Sequence, residues 1–410
     1  MEKIVITGTG AVSAVGNNVK ENWSNIRNGV SGLGLITHFD TTDFLVKIAC
    51  EVKGFDYSLS LSTRDFRRRD PYQHYAAAAV KEAIEQSGLE ITPENAGRIG
   101  VILSSGIGGL SSIEDNIQKL LESGPRKVSP FMITQLMANG AAGLAGIDNG
   151  PKGPAFAVAS ACASGQDGLG VAWMMLRSGM IDAAIAGASE AVITPVGVAG
   201  FDRIQATSRK GPEDATPSPF DKDRDGLVIG EGAGILILET ESHAKSRGAN
   251  ILAELASYAA TADAHHITAP TEDGSGGSRA ITLALESAGV NIEDVDYVNA
   301  HGTGTPLNDS AETNAIKSAF GEHAYKLPVS STKSMTGHMM GATGALETIY
   351  CVNAIQDSVV PPTINYNTPD PDCDLDYVPN EARDNKVEIA ISNAFGFGGH
   401  NAVLVIRKYE

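Results

Sequence analysis

The sequence predicts an α/β protein, because short runs of apolar and β-branched residues alternate with stretches whose apolar residues recur at helical spacing. A chain of 410 residues, 42% hydrophobic and with 45 glycines, can also bury a large core and hold two domains or a duplicated one. Residues 4–7, 99–103, 183–186, 235–238, 297–300 and 388–392 read as strands. Residues 75–87 read as a helix with Ala76, Val80, Ala83 and Ile84 on one face, and residues 278–288 as another that Gly289 ends. The charged stretch 239–249 is the expected midpoint, with a further strand starting at Ile251. The two halves echo each other faintly, so periodicity alone does not establish a duplication. The proline-rich segments 360–363 and 367–374 read as ordered connections.

Charge narrows the function classes. Thirty-one basic against 49 acidic residues leave a net charge of −18, which argues against nucleic acid or an anionic membrane as the main partner. No segment approaches the length of a membrane span. Residues 1–8 enter a strand directly, without the pattern of a signal peptide, and cysteines are few, so a cytoplasmic protein is expected. Gly8-Thr9-Gly10-Ala11-Val12-Ser13 after the first strand imitates a dinucleotide-binding turn. Its third glycine is replaced by Ser13, so the fingerprint is incomplete.

Four segments carry candidate chemistry. In Ala159-Ser160-Ala161-Cys162-Ala163-Ser164-Gly165 a cysteine stands among small residues, after an apparent buried strand over 155–158 and before a helical pattern in Leu169, Ala172, Trp173 and Leu176 that Gly179 ends. A cysteine at a helix start faces unpaired N–H groups and the positive end of the dipole, which favour the reactive thiolate. Free cysteine also packs commonly as a small buried hydrophobe, and Cys162 alone does not decide between these readings. Cys50, Cys351 and Cys373 are widely spaced, form no CxxC pair, and read as structural.

The second segment, Tyr297-Val298-Asn299-Ala300-His301-Gly302-Thr303-Gly304-Thr305-Pro306, delivers a histidine to the end of a strand before a Gly/Thr loop. The third, Ser331-Thr332-Lys333-Ser334-Met335-Thr336-Gly337-His338-Met339-Met340-Gly341, does the same before a helix. Either histidine alone could be a satisfied packing residue, and the nine histidines show no metal-ligand spacing. The fourth, Ser392-Asn393-Ala394-Phe395-Gly396-Phe397-Gly398-Gly399-His400-Asn401, is a glycine-rich loop between two strands. Its expected length exceeds that of an ordinary hairpin turn, which favours a functional role over a plain connection.

Together with Asp223-Arg224-Asp225-Gly226 and Gly230-Glu231-Gly232-Ala233-Gly234, these segments make the chain resemble, nearly end to end, the β-ketoacyl-acyl carrier protein synthases of the type I/II condensing-enzyme group, and synthase II most of all. The resemblance implies a thiolase-like fold, a duplicated five-layer α-β-α-β-α architecture, divided here into halves 1–250 and 251–410, and a homodimer. It implies decarboxylative condensation of an acyl-enzyme thioester on Cys162 with malonyl-acyl carrier protein. His301 and His338 would stabilise the enolate, and the N–H groups of Cys162 and Phe397 would form an oxyanion hole. Lys333 and Glu347 match a supporting buried pair, with Lys333 counted in the catalytic set. Phe397 matches an acyl-pocket gate, Ile107 an acyl-chain contact, and Thr268, Thr303, Thr305 and Gly398 substrate-binding positions. Asn299, Glu347, Ser392 and Asn393 match a monovalent-cation site of some members; no other cofactor is expected. His400 stands where many bacterial relatives have Thr.

An acyl carrier protein is acidic, so attraction to this acidic chain needs a local basic patch. Arg64, Arg67, Arg68 and Arg69, with Arg126 and Lys127, are the candidates, against the plainer reading of a solvated face paired with Asp65 and Asp70. Other readings are a type II polyketide ketosynthase, a non-catalytic chain-length partner of the same fold, a thiolase, and an oxidoreductase. Retention of Cys162, His301 and His338 argues against the chain-length partner, and the two-histidine set against a thiolase.

Overall fold

The computed structural model describes residues 2–410. Ten strands form one continuous sheet: β1 (Ile4–Val12), β2 (Ile99–Ser104), β3 (Ala155–Phe156), β4 (Ala183–Glu190), β5 (Gly232–Thr240), β6 (Ala253–Ala262), β7 (Tyr297–Asn299), β8 (Val329–Ser330), β9 (Ile389–Gly396) and β10 (His400–Arg407). Their spatial order is β8-β7-β9-β10-β6-β1-β5-β4-β2-β3. The main helices are α1 (Pro71–Ser87), α2 (Leu110–Ser123), α3 (Gly140–Asn149), α4 (Ser164–Arg177), α5 (Ser275–Ala288), α6 (Pro306–Phe320) and α7 (Thr343–Asp357).

The strand order shows a duplication that periodicity left undecided. Numbered within its own half, each set of five strands runs 3-2-4-5-1 across the sheet. Direction matches as well: β2 is parallel to β3 and β4, as β7 is to β8 and β9, while β4–β5–β1 and β9–β10–β6 are antiparallel. The halves join through two residue pairs of β1 and β6, Val5 with Glu254 and Ile6 with Ala253.

Alternation along the strands sorts side chains into separate cores. On β5, Leu236 and Leu238 enter the central core while Ile235 and Ile237 enter the outer core beneath α1 and α3. On β10, Leu404 and Ile406 face the centre while Val403 and Val405 face the outer core beneath α5 and α6. Helices α4 and α7 lie between the two half-sheets, so the layers read α-β-α-β-α. Helix α7 is buried on nearly every side, which accounts for its lack of an amphipathic pattern.

Several local expectations change. The predicted strand over 155–158 is only Ala155–Phe156, an edge strand whose first residue is exposed rather than a buried one. The strand expected at Ile251 starts at Ala253. The dinucleotide reading of Gly8 and Gly10 fails because both lie inside β1. A Cβ there would come within 2.2 Å of the Ala83 carbonyl and 1.9 Å of the Ala79 carbonyl, so these glycines let α1 lie flush on the sheet. The proline-rich connections are ordered and pinned by the bridges Thr363–Pro379 and Asp370–Cys373.

Candidate active site

Cys162 sits on a tight elbow between β3 and α4. Ala161 adopts a left-handed conformation (φ +51°), rare for a residue with a side chain, and Ala163 caps the helix that begins at Ser164. The elbow is tied by bonds from Ser164 N–H to the Ala161 carbonyl at 3.2 Å and from Ala163 N–H to the Ser160 carbonyl at 3.1 Å. Small residues are required around it. A Cβ on Gly396 would stand 3.0 Å from the Ser160 carbonyl oxygen and 3.1 Å from the Cys162 nitrogen.

The thiol is 8% exposed. Burial pushes it up to about 11, opposed by the Lys333 ammonium and by the Phe397 N–H that bonds to it. This revises the expectation of a standing thiolate: Cys162 precedes the cap, and desolvation outweighs what the helix start and Lys333 supply. The site therefore holds a neutral thiol that must lose its proton as it attacks.

His301 and His338 reach the same point from the other half. Their ring centroids are 5.3 Å apart at an interplanar angle of 85°, and ligand atoms of Cys162, His301 and His338 all lie within 4.8 Å of one another. Burial, and then the Lys333 charge, hold both imidazoles well below the ordinary histidine range, with His338 adding to the effect on His301. Both are neutral at pH 7, so each carries one N–H. His338 Nδ1 lies 3.1 Å from the Thr343 hydroxyl, which leaves Nε2 for the site; His301 Nδ1 is buried without a hydrogen-bond partner.

Backbone anchors fix these rings. His301 and Gly302 N–H donate to the Glu312 carboxylate at 2.8 and 2.7 Å, while Thr303 and Gly304 N–H donate to Asp309 at 3.1 and 3.3 Å. His338 N–H donates to the Val228 carbonyl at 2.7 Å, and Gly230 N–H to the His338 carbonyl at 2.9 Å. Lys333 is buried and donates to Glu347 Oε1 at 2.7 Å. Burial lifts both Glu312 and Glu347 to about 7.

A cavity of about 320 Å³ opens onto this point and is lined by His301, His338, Phe397, Thr268, Thr303 and Thr305 among others. Thr303 and Thr305 share a hydroxyl contact of 2.9 Å. Gly398 is not among the lining residues; its N–H donates to the Ile267 carbonyl at 2.7 Å. Ile107 lies outside this cavity, 40% exposed, on the loop after β2. The loop that carries Phe397 is shorter than expected: β9 continues to Gly396 and β10 starts at His400, leaving three residues, an ordinary hairpin connection. Its length therefore gives no argument for function. The Phe397 N–H on Cys162 does.

The expected cation set is drawn together in part. Asn299 Oδ1 and Nδ2, Glu347 Oε2 and Asn393 Oδ1 are buried without hydrogen-bond partners, whereas the Ser392 hydroxyl accepts from Gln166 Nε2 at 2.8 Å. Three unpartnered buried oxygens, one of them on the Glu347 carboxyl, are donors of the kind a hard cation takes.

Of the basic residues, Arg64, Arg67, Arg126 and Lys127 are exposed. Arg68 stacks over Phe131 at 4.8 Å, which brings the two basic segments together. Arg69 departs from the docking expectation: it is 7% exposed and bidentate on Asp148 at 2.6 and 2.7 Å, so its charge is used inside the protein.

Three acidic residues escaped the sequence reading: Asp309 and Glu312, which anchor the His301 loop, and Glu190. Glu190, at the end of β4, is fully buried and accepts from Ser105 Oγ (2.6 Å), Gly106 N–H (2.7 Å), Ile107 N–H (3.3 Å) and Gly341 N–H (3.1 Å). It ties the Ile107 loop to the segment that follows His338. An acidic residue closing an apolar strand was the only available signal, and it named no partner.

With this geometry in hand, comparison with known proteins is specific. The family model described as the beta-ketoacyl synthase N-terminal domain matches residues 1–244, and its C-terminal counterpart matches residues 252–367. A 3-oxoacyl-(acyl-carrier-protein) synthase 2 of Staphylococcus aureus (strain COL) is 48% identical over 409 residues, covering 100% of this chain and 99% of that protein. The synthase of the same name from Synechocystis sp. is 48% identical over 410 residues, with coverage of 100% and 99%. Among solved structures, a type II PKS acyl-carrier protein in complex with its ketosynthase, bound to the hexaketide, aligns with a TM-score of 0.92 at 35% identity over 100% of both chains. The convergence of Cys162, His301 and His338 within a duplicated sheet, and matches that span the whole chain, place this protein in the beta-ketoacyl synthase family.

Proposed function

We propose that the chain is a 3-oxoacyl-(acyl carrier protein) synthase that elongates acyl chains in fatty acid synthesis. The observation that carries this reading is the meeting of the Cys162 thiol with two neutral imidazoles from remote segments, all within 4.8 Å.

In the first half-reaction the Cys162 sulfur attacks the carbonyl of an acyl thioester on the carrier, while the thiol proton passes to the departing carrier thiol. The N–H groups of Cys162 and Phe397 receive the negative oxygen. In the second, malonyl-carrier thioester loses carbon dioxide, and the electron pair of the broken C–C bond forms an enolate. His301 and His338 each offer an N–H to that oxygen, and neutrality suits them to this: an imidazolium would bind the malonyl carboxylate and oppose its departure. The enolate carbon then attacks the acyl carbon, and Cys162 leaves as thiolate and regains a proton. Lys333 acts on all three groups without touching substrate, and Glu347 holds it in place.

The open side of the thiol carries the acyl chain, with Ile107 and the partly buried Phe397 at its boundary. Thr268, Thr303 and Thr305, which line the cavity, border the arm that delivers the thioester, with Gly398 in the adjoining hairpin. A monovalent cation held by Asn299, Glu347 and Asn393, with Ser392 beside them, would satisfy the unpartnered oxygens and balance the buried carboxyl groups. An acyl carrier protein docks on Arg64, Arg67, Arg68, Arg126 and Lys127; the complexed ketosynthase among the structural relatives supports a partner of that class. The open edge strand β3 and the exposed Ile117, Leu121, Ile133 and Met137 support a homodimer. Four free cysteines support a reducing cytoplasm, and no helix among the described residues is long and apolar enough to cross a membrane.

The polyketide reading keeps one support, the polyketide ketosynthase among the structural relatives, but its 35% identity falls below the 48% shared with the synthases. Product analysis after repeated turnover separates the two: a single 3-oxoacyl product per loading supports the synthase, and unreduced poly-3-oxo chains support the polyketide enzyme.

A further inference from the structure

The catalytic cluster also has the composition of a soft-metal site. A thiol and two imidazoles converge with ligand atoms no more than 4.8 Å apart, all three residues buried, although the sequence shows no ligand spacing because each comes from a different segment. Zinc bonds of about 2.3 Å to sulfur and about 2.0 Å to nitrogen set ligand separations of roughly 3.3–3.5 Å in a tetrahedron. Small side-chain rotations close that gap, and the adjoining cavity leaves the fourth position open to water.

Two further features favour a metal. The Thr343 hydroxyl lies 3.1 Å from His338 Nδ1 and can either donate or accept. When it donates, His338 carries its proton on Nε2, the form that stabilises an enolate. When it accepts, Nε2 presents a lone pair, with the outer hydrogen bond that orients a ligating histidine. The charge of Lys333, which opposes a cation here as it opposes protonation of both imidazoles, is offset by its pairing with Glu347, and Glu312 lines the same cavity.

We infer that Cys162, His301 and His338 together form an inhibitory site for a soft divalent metal ion, Zn²⁺ above all. The ion binds only the unacylated enzyme. Binding forms one metal–sulfur and two metal–nitrogen bonds and releases the single thiol proton to solvent, with no change of oxidation state. An acyl group on Cys162 prevents formation of the thiolate that the metal needs and leaves a neutral, weakly ligating thioester sulfur. The acyl-enzyme is thereby protected, while malonyl-carrier alone is not. The inhibitory consequence rests on the condensing reading; the binding does not.

The test uses the full-length enzyme with Zn²⁺ and Cd²⁺ as probes. Iodoacetamide labelling read by peptide mass spectrometry should show Cys162 protected by Zn²⁺ and exposed again by a chelator, with Cys50, Cys351 and Cys373 as buried internal references. Cd²⁺ should add a thiolate-to-metal ultraviolet band that is lost in Cys162→Ala and weakened in His301→Ala and His338→Ala. Unchanged alkylation of the wild-type enzyme at saturating Zn²⁺, or a Cd²⁺ band that survives Cys162→Ala, overturns the proposal. Neither outcome touches the condensing reading, which is tested separately by product formation in metal-free buffer.

Discussion

His301 meets His338 edge to face, with ring centroids 5.3 Å apart and planes at 85°. In this arrangement burial and the Lys333 ammonium oppose charging of both rings, and His338 adds to the cost of charging His301. The consequence is a pH signature. Both groups have folded-state pKa values well below the unfolded value of about 6.5, so the unfolded chain takes up protons first as the pH falls below that point. Stability is therefore fully present above about pH 6.5 and declines below it, whereas the folded enzyme keeps its neutral pair, and its rate, to lower pH. Measured from pH 8 to pH 5, the contribution of the pair to unfolding free energy should fall from about pH 6.5 downward, while the rate should stay flat across the ordinary histidine range. A loss of rate centred at pH 6.5 or higher contradicts a neutral pair.

Substitution of the two histidines separates the half-reactions. His301→Ala and His338→Ala should each lower condensation by about 10²–10³-fold, the usual cost of losing one oxyanion donor. Transfer of an acyl group from carrier to Cys162 should persist in both. Quenched-flow measurement of acyl-enzyme beside 3-oxoacyl product checks this, and equal loss of both steps removes the assigned division of labour.

Glu190 gathers four donors from two loops, so its deletion leaves buried N–H groups without partners. Glu190→Ala should cost roughly 3 kcal/mol of stability. Acyl transfer should slow as the Ile107 loop loosens. Chemical denaturation measures the first effect, and an unchanged unfolding midpoint would show that the carboxylate is dispensable.

The basic patch divides along burial. Arg67→Glu with Arg68→Glu should raise KM for acyl carrier substrates, most at low salt, and leave kcat and the melting temperature nearly unchanged. Arg69→Ala breaks the bidentate bond with a partly exposed Asp148 and should cost roughly 2–3 kcal/mol of stability instead. A Tm series set beside KM for carrier substrates distinguishes the two; the same response from all three arginines contradicts the division.

These distinctions mark what the sequence could show. Cys162, His301, His338 and Phe397 were legible because each lies in a short motif of small residues whose conformational needs are local. Residues 235–238 were likewise legible as a strand; the uniform apolar run did not show that Leu236 and Leu238 face one core and Ile235 and Ile237 another. Glu190, Asp309 and Glu312 were missed because their partners are backbone N–H groups of loops, which carry no residue signature. Helix α7 was expected after Gly341 but not bounded, because burial on nearly all sides erases amphipathic spacing. Arg69 looked like its neighbours until Asp148, brought across from α3, set it apart. The hairpin at Phe397 was overestimated because β9 runs past Ser392 to Gly396.

The central claim is that Cys162 accepts the acyl group and the two histidines then drive a decarboxylative condensation. Intact-protein and peptide mass spectrometry after incubation with an acyl-carrier thioester, followed by malonyl-carrier, tests it most directly. The account predicts an acyl mass added at Cys162, absent in Cys162→Ala, that disappears on addition of malonyl-carrier as 3-oxoacyl-carrier and carbon dioxide form. Loading of Cys162 with no malonyl-dependent 3-oxoacyl product would contradict it.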